Sequence, residues 1–123
     1  MTKFRIGLFI AVLAAAVTAW ALPAAARATG KRATTVAVTA GKPSEFHFVL
    51  AKASVPKGTV TFNVTNKGAL PHDFKIATKT TKLISPGHSA KLTVTFAKAG
   101  KYQYLCTVSG HAAAGMKGTL TVK

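Results

Sequence analysis

The sequence predicts an all-β protein, a Greek-key β-sandwich of about seven to eight strands, and three observations point there. After residue 28, β-branched and aromatic residues alternate with polar ones at period two, the pattern of half-buried strands. Turn-forming clusters break that alternation at Pro56-Lys57-Gly58, Asn66-Lys67-Gly68, Pro86-Gly87 and Ala99-Gly100. No stretch beyond Ala28 carries a helical period, so a two-sheet sandwich is the architecture that buries so many short strands.

The strands follow in order. "TTVAVTA" sets Val36 and Val38 against threonine and alanine. "EFHFVLA" places Phe46, Phe48 and Leu50 on one face, with His47 mid-strand on the other. "GTVTFNVTN" alternates Val60, Phe62 and Val64 with Thr59, Thr61, Asn63 and Thr65. "DFKIAT" supplies Phe74 and Ile76, and "AKLTVTFAK" supplies Leu92, Val94 and Phe96. "KYQYLC" aligns Tyr102, Tyr104 and Cys106, and "GTLTVK" ends the chain with Leu120 and Val122.

The first 28 residues read differently. Lys3 and Arg5 precede an apolar run from Ile6 to Leu22, and Pro23 and small residues follow, the layout of a secretory signal peptide. Two A-x-A sites, Ala24-Ala25-Ala26 and Ala26-Arg27-Ala28, compete for cleavage; the alternative is an uncleaved membrane anchor. The expected organisation is a leader over 1–28 and one domain over 29–123, exported to the periplasm or the outer face of the cytoplasmic membrane.

Charge narrows the function. The chain carries 17 Lys and Arg against two acids, Glu45 and Asp73, a net +15; beyond residue 28 the balance is 14 − 2 = +12. Two carboxylates cannot support most acid–base enzymology or a calcium site. No basic cluster stands out beyond Lys31-Arg32, which argues against nucleic acid as a partner. A single cysteine in an exported chain is either reactive or a metal ligand.

That cysteine opens "CTVSGHAAAGM", in which Cys106, His111 and Met116 are each separated by four residues and share one loop between two strands. Thiolate, imidazole and thioether together select copper, and a site of two histidines and one cysteine with a weak axial methionine is the blue copper arrangement. The second histidine has three candidates. His47 reads as an exposed strand residue and His88 as a solvated turn residue after Pro86-Gly87. His72, in "NKGALPHDF", sits between a glycine turn and a strand, where a surface or capping role competes with ligation. Singly, Met116 reads as core, Cys106 as an inert buried thiol and His111 as a surface residue; their joint spacing favours a metal.

These residues, "NxGxxPHDF", "GKYQYLC" and "CTVSGHAAAGMKGTLTV", resemble the cupredoxins, the small type 1 blue copper proteins that include plastocyanin, azurin and pseudoazurin. The resemblance spans about Thr34 to Lys123. It implies one copper ion, cycling between Cu(II) and Cu(I), with His72, Cys106 and His111 as equatorial ligands and Met116 axial. The interval from Cys106 to His111 matches azurin-like loops, while that from His111 to Met116 is one residue longer. Leu105 stands where plastocyanins carry an exposed tyrosine contact.

The same resemblance implies that Asp73 offers its backbone N–H to the Cys106 sulfur. As the only acid expected near the site, Asp73 is also expected to tie the two ligand loops together through its side chain. The second ring nitrogen of His72 is expected to meet a backbone carbonyl or water. Gly115 and Gly118 are expected to let the loop fold back. Electron shuttling rather than enzyme catalysis is the implied role, with copper storage or delivery as the alternative. Partners are expected to be acidic proteins docking at an apolar patch around His111, formed with Leu70, Pro71 and Ala112 to Ala114. Association with anionic lipid headgroups is a further expectation, and the protein is expected to be a monomer.

Overall fold

The computed structural model describes residues 33–123 together with Ala15 and Ala16. The expected leader otherwise lies outside the described residues. Among the described residues there are nine strands: β1 (Thr34–Ala40), β2 (Phe48–Leu50), β3 (Ser54–Val55), β4 (Gly58–Asn66), β5 (Lys75–Ile76), β6 (Lys79–Thr80), β7 (Ser89–Phe96), β8 (Gly100–Leu105) and β9 (Lys117–Val122). They form two sheets, in the orders β2-β1-β4-β7 and β3-β9-β8-β5-β6. The chain crosses repeatedly between the sheets, so β1 and β4 pair in parallel, as do β3 and β9, while every other pair is antiparallel. Among the described residues there is no helix.

Alternation fixes the register. Val60, Phe62 and Val64 of β4 face inward beside Val36 and Val38 of β1 and opposite Leu92 and Val94 of β7. On the outer face, the hydroxyls of Thr59 and Thr95 lie 3.2 Å apart and those of Thr61 and Thr93 3.3 Å apart. Slipping β7 by one residue would exchange these two sets, burying threonines and exposing the core. Each fully buried valine or phenylalanine contributes roughly 1.5–3 kcal/mol before conformational entropy is counted. Phe74 is central to this core, with its ring centroid 5.2 Å from Phe62, 5.3 Å from Phe48 and 5.6 Å from Tyr104.

Four details depart from the sequence reading. The strand expected over "EFHFVLA" starts only at Phe48, because the chain leaves the β1 ladder at Gly41 and returns at His47, whose carbonyl accepts the Gly41 N–H at 2.9 Å. His47 is therefore exposed at the end of a loop rather than mid-strand. "DFKIAT" holds only the two-residue β5, because Ala77 turns the chain with a φ of 53° toward β6, which begins after it. Gly115 does take a left-handed φ of 114°, but Gly118 does not; it lacks a side chain because the Tyr104 ring lies directly over it.

The architecture delivers three chain segments to one place. β4 ends at Asn66, a fully buried residue whose side-chain amide is used completely. Its Nδ2 donates to the carbonyls of Leu70 and Ile84, each at 2.8 Å, and its Oδ1 accepts the Gly68 N–H at 2.9 Å. That holds the 66–70 turn firmly and leads into His72. β8 ends at Leu105, placing Cys106 next, and β9 begins at Lys117, just after Met116.

Candidate metal centre

His72 is fixed through its backbone before its ring is considered. Its N–H donates to the Ile84 carbonyl at 3.1 Å, and the Ile84 N–H donates back at 2.7 Å. The Cys106–Met116 loop is closed by its own backbone. Cys106 N–H donates to the Met116 carbonyl, and Met116 N–H donates to the His111 carbonyl, both at 3.1 Å. The four residues that the sequence singled out are all buried: His72 and Met116 are 0% exposed, Cys106 1% and His111 9%. The last figure makes His111 the least enclosed of the four. His88 is exposed and pairs with its own turn, Nδ1 lying 3.1 Å from the Pro86 carbonyl.

Three donor atoms converge. The Nδ1 atoms of His72 and His111 are 3.1 Å apart, and the Cys106 Sγ lies 3.5 Å from His111 Nδ1 and 4.0 Å from His72 Nδ1. All three lie within 4.8 Å of one another, the spread expected of ligands around a single ion. Met116 lies against the same loop, its side chain wholly within the core.

Electrostatics at the cluster are unusual for so basic a chain, because both of its carboxylates lie here. Asp73 Oδ1 accepts the Thr107 N–H at 2.6 Å and Oδ2 accepts the Thr107 hydroxyl, so Asp73 joins the His72 segment to the Cys106 loop as expected. The second acid corrects the sequence reading, in which Asp73 stood alone. Glu45 Oε1 lies 2.7 Å from His72 Nε2, where a backbone carbonyl or water was expected. The same carboxylate accepts N–H bonds from Ala69 and Leu70, each at 2.9 Å. Phe46, also missed, packs its ring edge-on to His111 with centroids 5.0 Å apart. Glu45 and Phe46 were read as strand residues, and the contact with His72 spans 27 positions with no spacing signature. The available signal was composition: a lone glutamate in a chain of 17 cations had a reason to be there.

Burial pushes the Cys106 thiol up, an effect opposed by backbone N–H groups of Asp73 and Val108 that point at its sulfur. The Asp73 part of that arrangement is the one the resemblance implied. Burial, aided by the neighbouring His72, pushes His111 down from 6.5. Hydrogen bonds from Ala69 and Leu70, with help from His72, lower Glu45 from 4.5 to about 2. Stability of the copper-free protein should therefore respond to acid in two windows. A folded-state value below the unfolded one means that the unfolded chain binds more protons as pH falls. The His111 contribution weakens as pH drops through 6.5, and the Glu45 contribution, complete above 4.5, disappears toward 2. Thermal midpoints measured against pH should show both slopes, and Glu45→Gln should remove only the lower one. A wild-type midpoint that stays flat between pH 4.5 and 2 would contradict the Glu45 contacts.

The donor set fits copper. Two imidazoles and a cysteine sulfur, buried and with no carboxylate oxygen among the converging donor atoms, match the soft preference of this metal over calcium, magnesium or manganese. A β-sandwich holding such a cluster on its inter-strand loops is the arrangement of the blue copper proteins. A family model described as Cupredoxin-like domain matches residues 10–122, and the chain belongs to that family.

Known relatives agree. Over 41 residues the chain is 51% identical to "Copper-resistant cuproprotein CopI" of Pseudomonas aeruginosa, covering 33% of this chain and 23% of that protein. Over 52 residues it is 44% identical to Auracyanin-B of Chloroflexus aurantiacus, covering 42% of this chain and 22% of that one. The chain thus matches less than a quarter of the length of either curated relative. An auracyanin B structure superposes with a TM-score of 0.63 at 25% identity, covering 76% of this chain and 91% of the other. Rusticyanin from Thiobacillus ferrooxidans gives a TM-score of 0.56 at 30% identity, covering 76% and 79%. A multicopper oxidase shares the fold at 20% identity and a TM-score of 0.55, with 75% of this chain and 42% of that chain covered.

Proposed function

We propose that the protein carries single electrons between redox partners through one type 1 copper site, with His72, Cys106 and His111 as equatorial ligands and Met116 as the axial one. The observation that carries this reading is the buried convergence of two Nδ1 atoms and one Sγ within 4.8 Å on loops pinned by strands. The bound metal would supply a one-electron couple, accepting an electron from a reduced donor and passing it to an oxidised acceptor. The protein's part is to hold its donors still. Asp73 ties the loops together, Asn66 stiffens the turn before His72, and the hydrogen bonds of Met116 fix the loop from the other side. Little then has to move when the charge changes.

His111 is the route by which electrons enter and leave. Leu70, Pro71, Ala113 and Ala114, close to the ligands in sequence, are exposed and small or apolar, suited to a docking patch. The net positive charge of the chain favours an acidic protein partner, encountered in a salt-sensitive way, or an anionic membrane surface. Export through the 1–28 leader, a working domain over 29–123 and a monomeric state complete this reading, in which nothing acts as an enzyme. The local likeness to a copper-resistance protein favours a second reading, in which the chain stores or delivers copper.

Voltammetry of the protein loaded with one equivalent of copper separates the two. A carrier gives a reversible one-electron wave and keeps its copper through repeated cycling. Loss of copper to a mild chelator on each reduction, with no reversible wave, would overturn electron transfer in favour of delivery.

A further inference from the structure

We propose that Glu45 is the positioning residue of the metal centre, fixing the ring of His72 for coordination and holding down the reduction potential of the bound copper; this rests on the copper reading above. The carboxylate is locked from several sides. Oε2 accepts from Ala69 N–H, and Oε1 accepts from Leu70 N–H at 2.9 Å while lying 2.7 Å from His72 Nε2. Gly68 makes room for it, since any side chain there would strike the carboxylate, and Asn66 keeps that turn in place. Glu45 therefore has little freedom to swing away from His72.

The chemistry follows from what a carboxylate can do. It only accepts hydrogen bonds, so the proton on the His72 ring resides on Nε2 and the Nδ1 lone pair faces Cys106 and His111. A partner of this kind fixes the ring and strengthens it as a donor. His111 has a different environment, with an aromatic edge and partial exposure where His72 has a carboxylate. The two imidazoles are thus unequal: His72 is the ligand fixed by a carboxylate and His111 the less enclosed one. A negative charge one ring away from the metal also stabilises Cu(II) over Cu(I), which lowers the potential. That opposes the net positive charge of the chain, which acts in the opposite sense.

Two variants test this. Glu45→Gln keeps an accepting oxygen but removes the charge, whereas Glu45→Ala removes both. In the copper-free protein, nitrogen NMR of His72 should show the Nε2–H tautomer in wild type and Glu45→Gln, and a mixture in Glu45→Ala. With copper, Glu45→Gln should retain its thiolate band at a higher potential, and Glu45→Ala should bind copper about 10–100-fold more weakly. An unchanged tautomer in Glu45→Ala, or an unchanged potential in Glu45→Gln, would overturn the proposal. Should Glu45→Ala fail to fold, the near-isosteric Glu45→Gln decides through its potential alone. A wild-type protein lacking any thiolate–copper band would instead sink the copper reading, and the tautomer measurement would still decide the positioning role.

Discussion

Replacing Cys106 with alanine is expected to abolish the intense visible absorption of the copper-loaded protein while leaving the fold intact. The band requires a thiolate bound to copper, and the chain holds no second cysteine that could substitute. Cys106 is buried within the core just after β8, but its side chain is small, so the truncation removes only one sulfur atom from the packing. The expected stability cost is near 1 kcal/mol, the lower end of what shortening a buried side chain costs. His72 and His111 remain, with Nδ1 atoms 3.1 Å apart, so weak Cu(II) binding should persist with a pale spectrum and ordinary wide hyperfine splitting. Titration followed by visible and EPR spectroscopy, with circular dichroism as the check on folding, measures all three effects. A blue band surviving in Cys106→Ala would mean that the sulfur is not the ligand.

The parts of this centre legible in the sequence were those with a local signature. Cys106, His111 and Met116 lie within eleven residues, so their spacing could be read directly. The long strands β1, β4, β7, β8 and β9 were equally plain, because alternation over six to nine residues leaves one face to bury. Short elements were harder. β3, β5 and β6 have two residues each and are set by neighbouring strands rather than by their own pattern. The β1–β2 loop was hidden for a related reason. Phe46 and Phe48 obey strand alternation, yet Phe46 packs on His111, and the chain around it is positioned by the Glu45 carboxylate. No local rule shows that a glutamate will seek two backbone amides 24 and 25 positions away.

The core and the metal centre meet at Phe74, and Phe74→Ala is expected to be the most destabilising single change in the described domain. The ring is fully buried and packs against Phe48, Phe62 and Tyr104, so its loss opens a cavity that spans both sheets. Phenylalanine-to-alanine changes in such settings cost about 3–5 kcal/mol. That is a large share of the roughly 5–15 kcal/mol that stabilises a typical domain. The thermal midpoint of the copper-free protein should fall by about 12–40 °C, at roughly 4–8 °C per kcal/mol for a domain of this size. Bound copper would mask part of the loss by mass action, so the copper-free form is the one to heat. The backbone adds a second consequence. Phe74 N–H donates to the Thr81 hydroxyl at 3.0 Å, and the residue lies two positions beyond His72, so a looser core should broaden or shift the copper spectrum as well. Val49→Ala, at a side chain 46% exposed, serves as the control and should move the midpoint by no more than about 0.5 kcal/mol equivalent. If Phe74→Ala melts within a few degrees of wild type, the aromatic cluster is not what holds the His72 segment against the sandwich, and the rigidity of the centre must come from its hydrogen bonds, those of Asn66, Asp73, Glu45 and Met116 among them.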